Sequence, residues 1–213
     1  MLTDLRMKIR LVVPALLIVA FVLCAPGTAR PDETDLRVGV ARAKVTPEAP
    51  IRMAGYASRN KPSEGVLADL YAKAMAFEDT KGERAVLLTA DVIGFNAKVA
   101  DFVCRRIIEK TSLQRRQILL NPSHTHTGPV IGIPGATGYG LEGEDAKRVH
   151  QYAEKLAGQL ADLAAAALAD LKPAKVSWGL GVTHIVMNRR EFTERGVRLG
   201  FNPRGYVDRG VPV

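Results

Sequence analysis

Strand-like and helix-like segments alternate along this chain, and that alternation limits the folds open to it more than any other feature. Arg84 to Val92 is an apolar run fit for the centre of a sheet and ends at Asp91. A helical pattern follows an Asn96 cap, with Val99, Phe102, Val103 and Ile107 on one face. Gln117 to Leu120 is again strand-like and stops at Asn121-Pro122. Upstream, Arg37 to Val45 and Leu70 to Glu78 read as strands, the latter turning into the next through Asp79-Thr-Lys-Gly82. Downstream, Val149, Tyr152, Leu156, Leu160, Leu163, Ala167 and Leu171 are in register on a helix from about Glu144 to Leu171, which Pro173 ends. Lys175 to Trp178 and Val182 to Met187 suggest a hairpin, and the tail from Gly196 is rich in Gly, Pro and Arg. The expectation is an α/β fold, a layered mixed β-sheet with flanking helices.

The first 29 residues have the layout of a secretory signal peptide. Lys8 and Arg10 precede an apolar stretch from Leu11 to Cys24, and small residues stand at the −3 and −1 positions of a cut after Ala29. Export follows, to the periplasm or the medium, with residues 30–213 as the mature part; the alternative is an anchor formed by an uncleaved segment. A lipoprotein reading through Cys24 is weaker because Leu23 before it is bulky. Removing residues 1–29 leaves 27 basic against 21 acidic residues, a formal charge of +6. The Lys and Arg are spread out, aromatics make up only 6%, and no nucleic-acid motif accompanies them. The charge points to attraction toward anionic or membrane surfaces rather than to DNA. Cys104 alone remains in the mature part, on the apolar helix face, as a buried thiol.

Two of the four histidines, His124 and His126, stand one residue apart directly after the strand Gln117 to Leu120. In extended chain, residues i and i+2 share a face about 7 Å apart, so both imidazoles are placed to meet at one zinc-sized ion. Two loop histidines with ordinary hydrogen bonds are the plainer alternative. Gly128, not Asp, follows two residues after His126, which excludes a metallo-β-lactamase-type His-x-His-x-Asp centre. The stretch Gly128 to Gly143 carries six glycines and no Gly-Lys-Ser/Thr ending, so it is not a phosphate loop. It reads as a flexible rim to the site, with Tyr139 or Leu141 touching lipid, or else as an ordinary surface loop. Asp91, at a strand end, has two readings: a carboxylate that orients a histidine, or a strand cap. His184 and His150 read as structural.

Six segments together resemble the N-terminal part of the neutral/alkaline non-lysosomal ceramidase family. They are Val38 to Pro47, Met53-Ala-Gly-Tyr-Ala57, Ala85 to Val92, Ser123-His-Thr-His-Thr-Gly-Pro129, Met187-Asn-Arg-Arg190 and Gly200 to Asp208. The histidine segment is the most specific and Asn-Arg-Arg the second. The resemblance implies a zinc amidase that cleaves the N-acyl bond of ceramide-like lipids. It makes His124 a zinc ligand and His126 a contact to the substrate's hydroxyl and amide groups. It brings Arg189 to the catalytic centre, where a guanidinium stabilises the developing oxyanion. Lys44 departs from the family's usual acidic residue, and Gly205-Tyr-Val-Asp-Arg209 departs from its Gly-Pro-Val-Asp-Pro form. The family's other zinc ligands and active-site serine fall beyond residue 213, so the chain is expected to be part of a longer hydrolase and inactive as this fragment alone. The alternatives are a non-catalytic exported domain, a degenerate remnant, or a hydrolase of the same fold acting on another amide. Oligomeric state is not legible.

Overall fold

The computed structural model describes residues 36–56, 58–137, 139–183 and 189–200. The chain divides into two compact units, one running to Lys175 and the other starting at Val176. The expected signal peptide lies outside the described residues.

The first unit is built on β1 (Arg37–Lys44), β2 (Tyr71–Glu78), β3 (Arg84–Ala90), α1 (Ala97–Thr111), β4 (Ile118–Pro122), α2 (Gly143–Ala169) and β5 (Lys172–Pro173). The sheet order is β4-β3-β2-β1-β5. β1, β2 and β3 form an antiparallel meander, β5 pairs antiparallel with β1, and β4 lies parallel to β3. The sheet is therefore mixed, and the expected α/β layering holds.

Local chemistry explains each element. The β2–β3 turn closes through Asp79, whose carboxylate accepts from the backbone N–H of Lys81 and Glu83, while Gly82 takes φ +76°. α1 begins where expected: the Asn96 side chain accepts from Val99 N at 3.0 Å. A parallel partner for β3 needs a crossover, and α1 supplies it. Its buried face is Val99, Val103, Cys104 and Ile107.

α2 packs on β1 and β2 and against α1. Ala72, Ala74 and Ala76 on β2 are buried at alternate positions, and α2 buries Ala153, Ala157, Ala161 and Ala164. Small residues on both sides let helix and sheet approach closely. At Gly39 the approach is closest, since a Cβ there would stand 2.0 Å from the Ala167 carbonyl oxygen. Leu88, Leu156 and Leu160 are fully buried in the same core. Each contributes about 1.5–3 kcal/mol by burial. The opposite sheet face carries the registered row Val40–Met75–Leu87–Leu119, of which Val40 and Leu119 are largely exposed.

In the second unit β6 (Arg190–Thr193) pairs antiparallel with β7 (Gly196–Leu199). This corrects the first arm of the hairpin expected over Lys175–Trp178 and Val182–Met187; most of the second arm lies outside the described residues. Residues 174–183 carry no strand, and Val176, Trp178, Leu180 and Val182 are all exposed. Alternation there is real but does not by itself make a strand. The hairpin instead forms where Gly196 takes φ +94° and the Thr193 hydroxyl donates to its carbonyl. Residues 184–188 lie outside the described ones.

Candidate functional site

Because β3 and β4 run parallel, their C-terminal ends open on the same sheet edge, and both sequence-predicted features sit there. Ser123 N donates to Ala90 O at 3.0 Å, which ties the start of the histidine segment to the end of β3. Asp91 closes on β2: its Oδ2 accepts from Tyr71 N, and its own N–H donates to Tyr71 O, both at 2.9 Å. That is the strand-cap reading.

The oxygen that meets the first histidine comes from two residues further on. His124 Nδ1 lies 2.7 Å from the Ile93 carbonyl oxygen. A carbonyl only accepts, so Nδ1 is the donor; in the neutral ring that leaves the lone pair on Nε2, the nitrogen free to face a metal.

The two imidazoles do converge, with ring centroids 5.1 Å apart at 64°. The route differs from the expected extended pleat. β4 ends at Pro122, His124 takes φ +57° in the left-handed region, and a turn follows at His126-Thr127. The Thr125 and Thr127 hydroxyls lie 2.9 Å apart across that turn.

A second segment, residues 52–56 with Arg59, braces the histidines. It is joined to the histidine segment by Ala54 N to Gly128 O and by Val130 N to Arg52 O, with Met53 bridged to Pro129. Gly55 sits against His126 at φ +103°, where a Cβ would stand 2.5 Å from the His126 Cβ. Tyr56 then meets the His126 ring edge-on, centroids 5.1 Å apart at 82°. The Arg59 guanidinium lies 4.7 Å over the Tyr56 ring, and its Nη1 donates to the carbonyls of Ala54 and His126. Sequence reasoning met Gly55 and Tyr56 only within the Met53–Ala57 segment that carries the resemblance, and did not single out Arg59.

The first part of the glycine-rich stretch, residues 132–137, is tied to the helices that flank it. Asn96 Nδ2 donates to Ala136 O at 3.0 Å, and Lys98 Nζ donates to Gly135 O. His150 Nε2 lies 2.6 Å from the Thr137 hydroxyl, which donates to Ile133 O. Gly132 is buried beneath Thr137, leaving no room for a Cβ. His150 is thus structural, Tyr139 is exposed and Leu141 packs on the core.

Arg189 belongs to the second unit. Its Nε donates to Gly200 O, and its carbonyl accepts from Gly200 N, both at 2.8 Å. His184, Met187 and Asn188 lie outside the described residues.

The donor chemistry at His124 fits zinc, but the set is incomplete. Among the described residues no group of three or more His, Cys, Asp and Glu side chains is placed to hold a metal ion. Among them also, no helix is long and apolar enough to cross a membrane.

Comparison with known proteins bears on this site. The family model for neutral/alkaline non-lysosomal ceramidase, N-terminal, matches residues 36–190. Neutral ceramidases of Drosophila pseudoobscura pseudoobscura and Drosophila melanogaster are each 31% identical over 104 residues, covering 44% of this chain and 14% of theirs. The crystal structure of neutral ceramidase from Pseudomonas aeruginosa superposes with a TM-score of 0.52 at 23% identity, over 67% of this chain and 23% of that one. A ceramidase complexed with C2 gives 0.52 at 22% identity, over 66% and 22%. At these identities the structures speak for the fold alone. The match therefore spans about a seventh of the curated relatives and under a quarter of the solved ones. Because the family model takes in the whole described sheet and both helices, the chain belongs to the neutral/alkaline non-lysosomal ceramidase family.

Proposed function

We propose that this chain is part of an exported zinc-dependent amidase of neutral-ceramidase type that hydrolyses the N-acyl bond of ceramide-like lipids. The observation that carries the reading is the contact of His124 Nδ1 with Ile93 O, which turns Nε2 away from the main chain and leaves it to ligate. In this reading His124 gives zinc one ligand, and the other ligands come from outside the described residues. Zinc, when bound, supplies a water acidified toward neutral pH. His126, beside it, contacts the substrate, and Arg189 stabilises the charge that develops on the amide oxygen. The N-terminal 29 residues direct export, and the basic mature part favours approach to anionic lipid surfaces.

The test is hydrolysis of N-acylsphingosine and of N-acyl amino acids by the exported, zinc-loaded longer protein that carries this chain with the remaining ligands, with His126→Ala and Arg189→Ala alongside. Release of fatty acid that falls by two orders of magnitude or more in both variants is the expected result. An unmodified protein that binds zinc and cleaves neither substrate defeats the reading. N-terminal sequencing of the exported form is expected to begin at Arg30.

A further inference from the structure

One side chain outside the histidine pair is built to decide where His126 stands. We infer that Arg59 is a positioning residue for His126, acting through the His126 main chain and through the ring of Tyr56. This rests on the reading of His126 as the substrate contact.

Three contacts carry the inference. The Arg59 guanidinium donates from Nη1 to the His126 carbonyl and, at 2.9 Å, to the Ala54 carbonyl, so it clips the two loops together at the backbone. The same guanidinium lies 4.7 Å over the Tyr56 ring. Tyr56 in turn meets the imidazole of His126 edge-on at 5.1 Å. The His126 backbone and ring are thus both held by groups that Arg59 fixes. Tyr56 is half exposed, so burial alone does not hold it in place. A planar, delocalised cation suits this task because it stacks on a ring and hydrogen-bonds in its plane at the same time; an ammonium on a flexible stem does not. Gly55 makes the arrangement possible, since at φ +103° it lets the chain pass directly against His126.

A plain loop staple would hold the fold without setting the imidazole, and the two roles separate in a spectrum. In the full chain, the His126 Cε1–H resonance is assigned by its disappearance in His126→Gln. It is then recorded at one pH in Arg59→Ala, Arg59→Lys and Tyr56→Leu. The expected result is a displaced His126 resonance in all three, from the lost or reoriented ring of Tyr56, with His150 unmoved. In hydrolysis, Arg59→Ala is expected to lower kcat about tenfold or more with little change in KM, as misplacement of a reacting contact does. Added guanidinium ion restores part of the loss. A His126 resonance unmoved in a folded Arg59→Ala protein overturns the inference; should that variant not fold, the same result in Arg59→Lys does so. A displaced resonance in a protein that cleaves no N-acyl substrate leaves Arg59 positioning His126 and removes only the amidase reading.

Discussion

His124 presents its Nδ1 to the carbonyl oxygen of Ile93 at 2.7 Å, and nothing but a protonated Nδ1 satisfies that pairing. The acceptor is main chain and lies between β3 and α1, so the ring is aimed by two rigid elements rather than by a mobile carboxylate. His126, by contrast, is held through its carbonyl and its ring edge. The two histidines are therefore expected to respond differently to zinc. His124→Ala lowers zinc affinity by more than about tenfold, the scale on which even supporting contacts act. His126→Ala leaves it nearly unchanged. Competition with a zinc-sensing dye on the full chain measures both, and equal losses in the two variants would show a shared two-nitrogen clamp.

Gly55 and Gly82 separate backbone strain from overlap. Both have positive φ, +103° and +76°, but only Gly55 lacks space, with the Cβ and Cγ of His126 at 2.5 and 2.6 Å from a built Cβ. Gly82→Ala has the conformational cost alone, about 1 kcal/mol. Gly55→Ala adds displacement of the histidine loop and is expected to cost about 2–3 kcal/mol or more. Urea unfolding compares the two, and hydrolysis is expected to fall in Gly55→Ala only. Equal stability losses with hydrolysis intact would mean that His126 is free to move aside.

What could be read from the sequence is what local pattern encodes. The Asn96 cap, the α1 face and the long α2 stripe depend on residues three and four apart, and all three stand in the structure. His124 and His126 stand side by side, but not through the extended spacing expected, because one apolar-polar period says nothing of a left-handed φ at His124. Tyr56 and Arg59 were hidden for a different reason: their contacts with His126 join residues about 70 positions apart, which only the fold brings together. The exposed row Val176, Trp178, Leu180 and Val182 misled in the opposite sense, since its alternation, with every member exposed, forms no strand among the described residues.

Glu78 makes part of the stability depend on acid. Its carboxylate receives Arg84 Nε and Arg37 Nη1, each at 2.6 Å, at the end of β2 where the residue is only 7% exposed. The hydrogen bond from Arg84, then that from Arg37, holds the carboxyl below its ordinary value. A depressed folded pKa gives a contribution that is complete above the unfolded value, about 4.3. It disappears as pH falls from there through the lower, folded value. The melting temperature is therefore expected to drop as pH is lowered from about 5 through the unfolded value. In Glu78→Gln it starts lower at neutral pH and falls less over that interval. Parallel Tm curves for the two proteins would remove Glu78 from the acid response.

Gly39 sets the distance between sheet and helix. A Cβ there meets the Ala167 carbonyl oxygen at 2.0 Å and the backbone of Asp170 and Leu171 at 2.8 Å, none of which is a flexible side-chain end. Asp170 is itself tied to the strand, its Oδ2 accepting from Val40 N at 3.1 Å, so the end of α2 has no easy retreat. Gly39→Ala is expected to destabilise the first unit by about 2–3 kcal/mol through overpacking. Gly158→Ala, on the exposed side of α2 with nothing within 4 Å, is expected to stabilise it by about 0.5–1 kcal/mol. Denaturant midpoints decide both. The functional consequence runs along the helix, because α2 also carries His150, whose ring holds Thr137 and with it the loop that follows the histidines. A helix pushed off β1 pulls that anchor, so Gly39→Ala is expected to raise amide-hydrogen exchange at residues 131–137 as well as around β1. Faster exchange confined to β1 and the end of α2 would show that the loop is held by Asn96 and Lys98 alone.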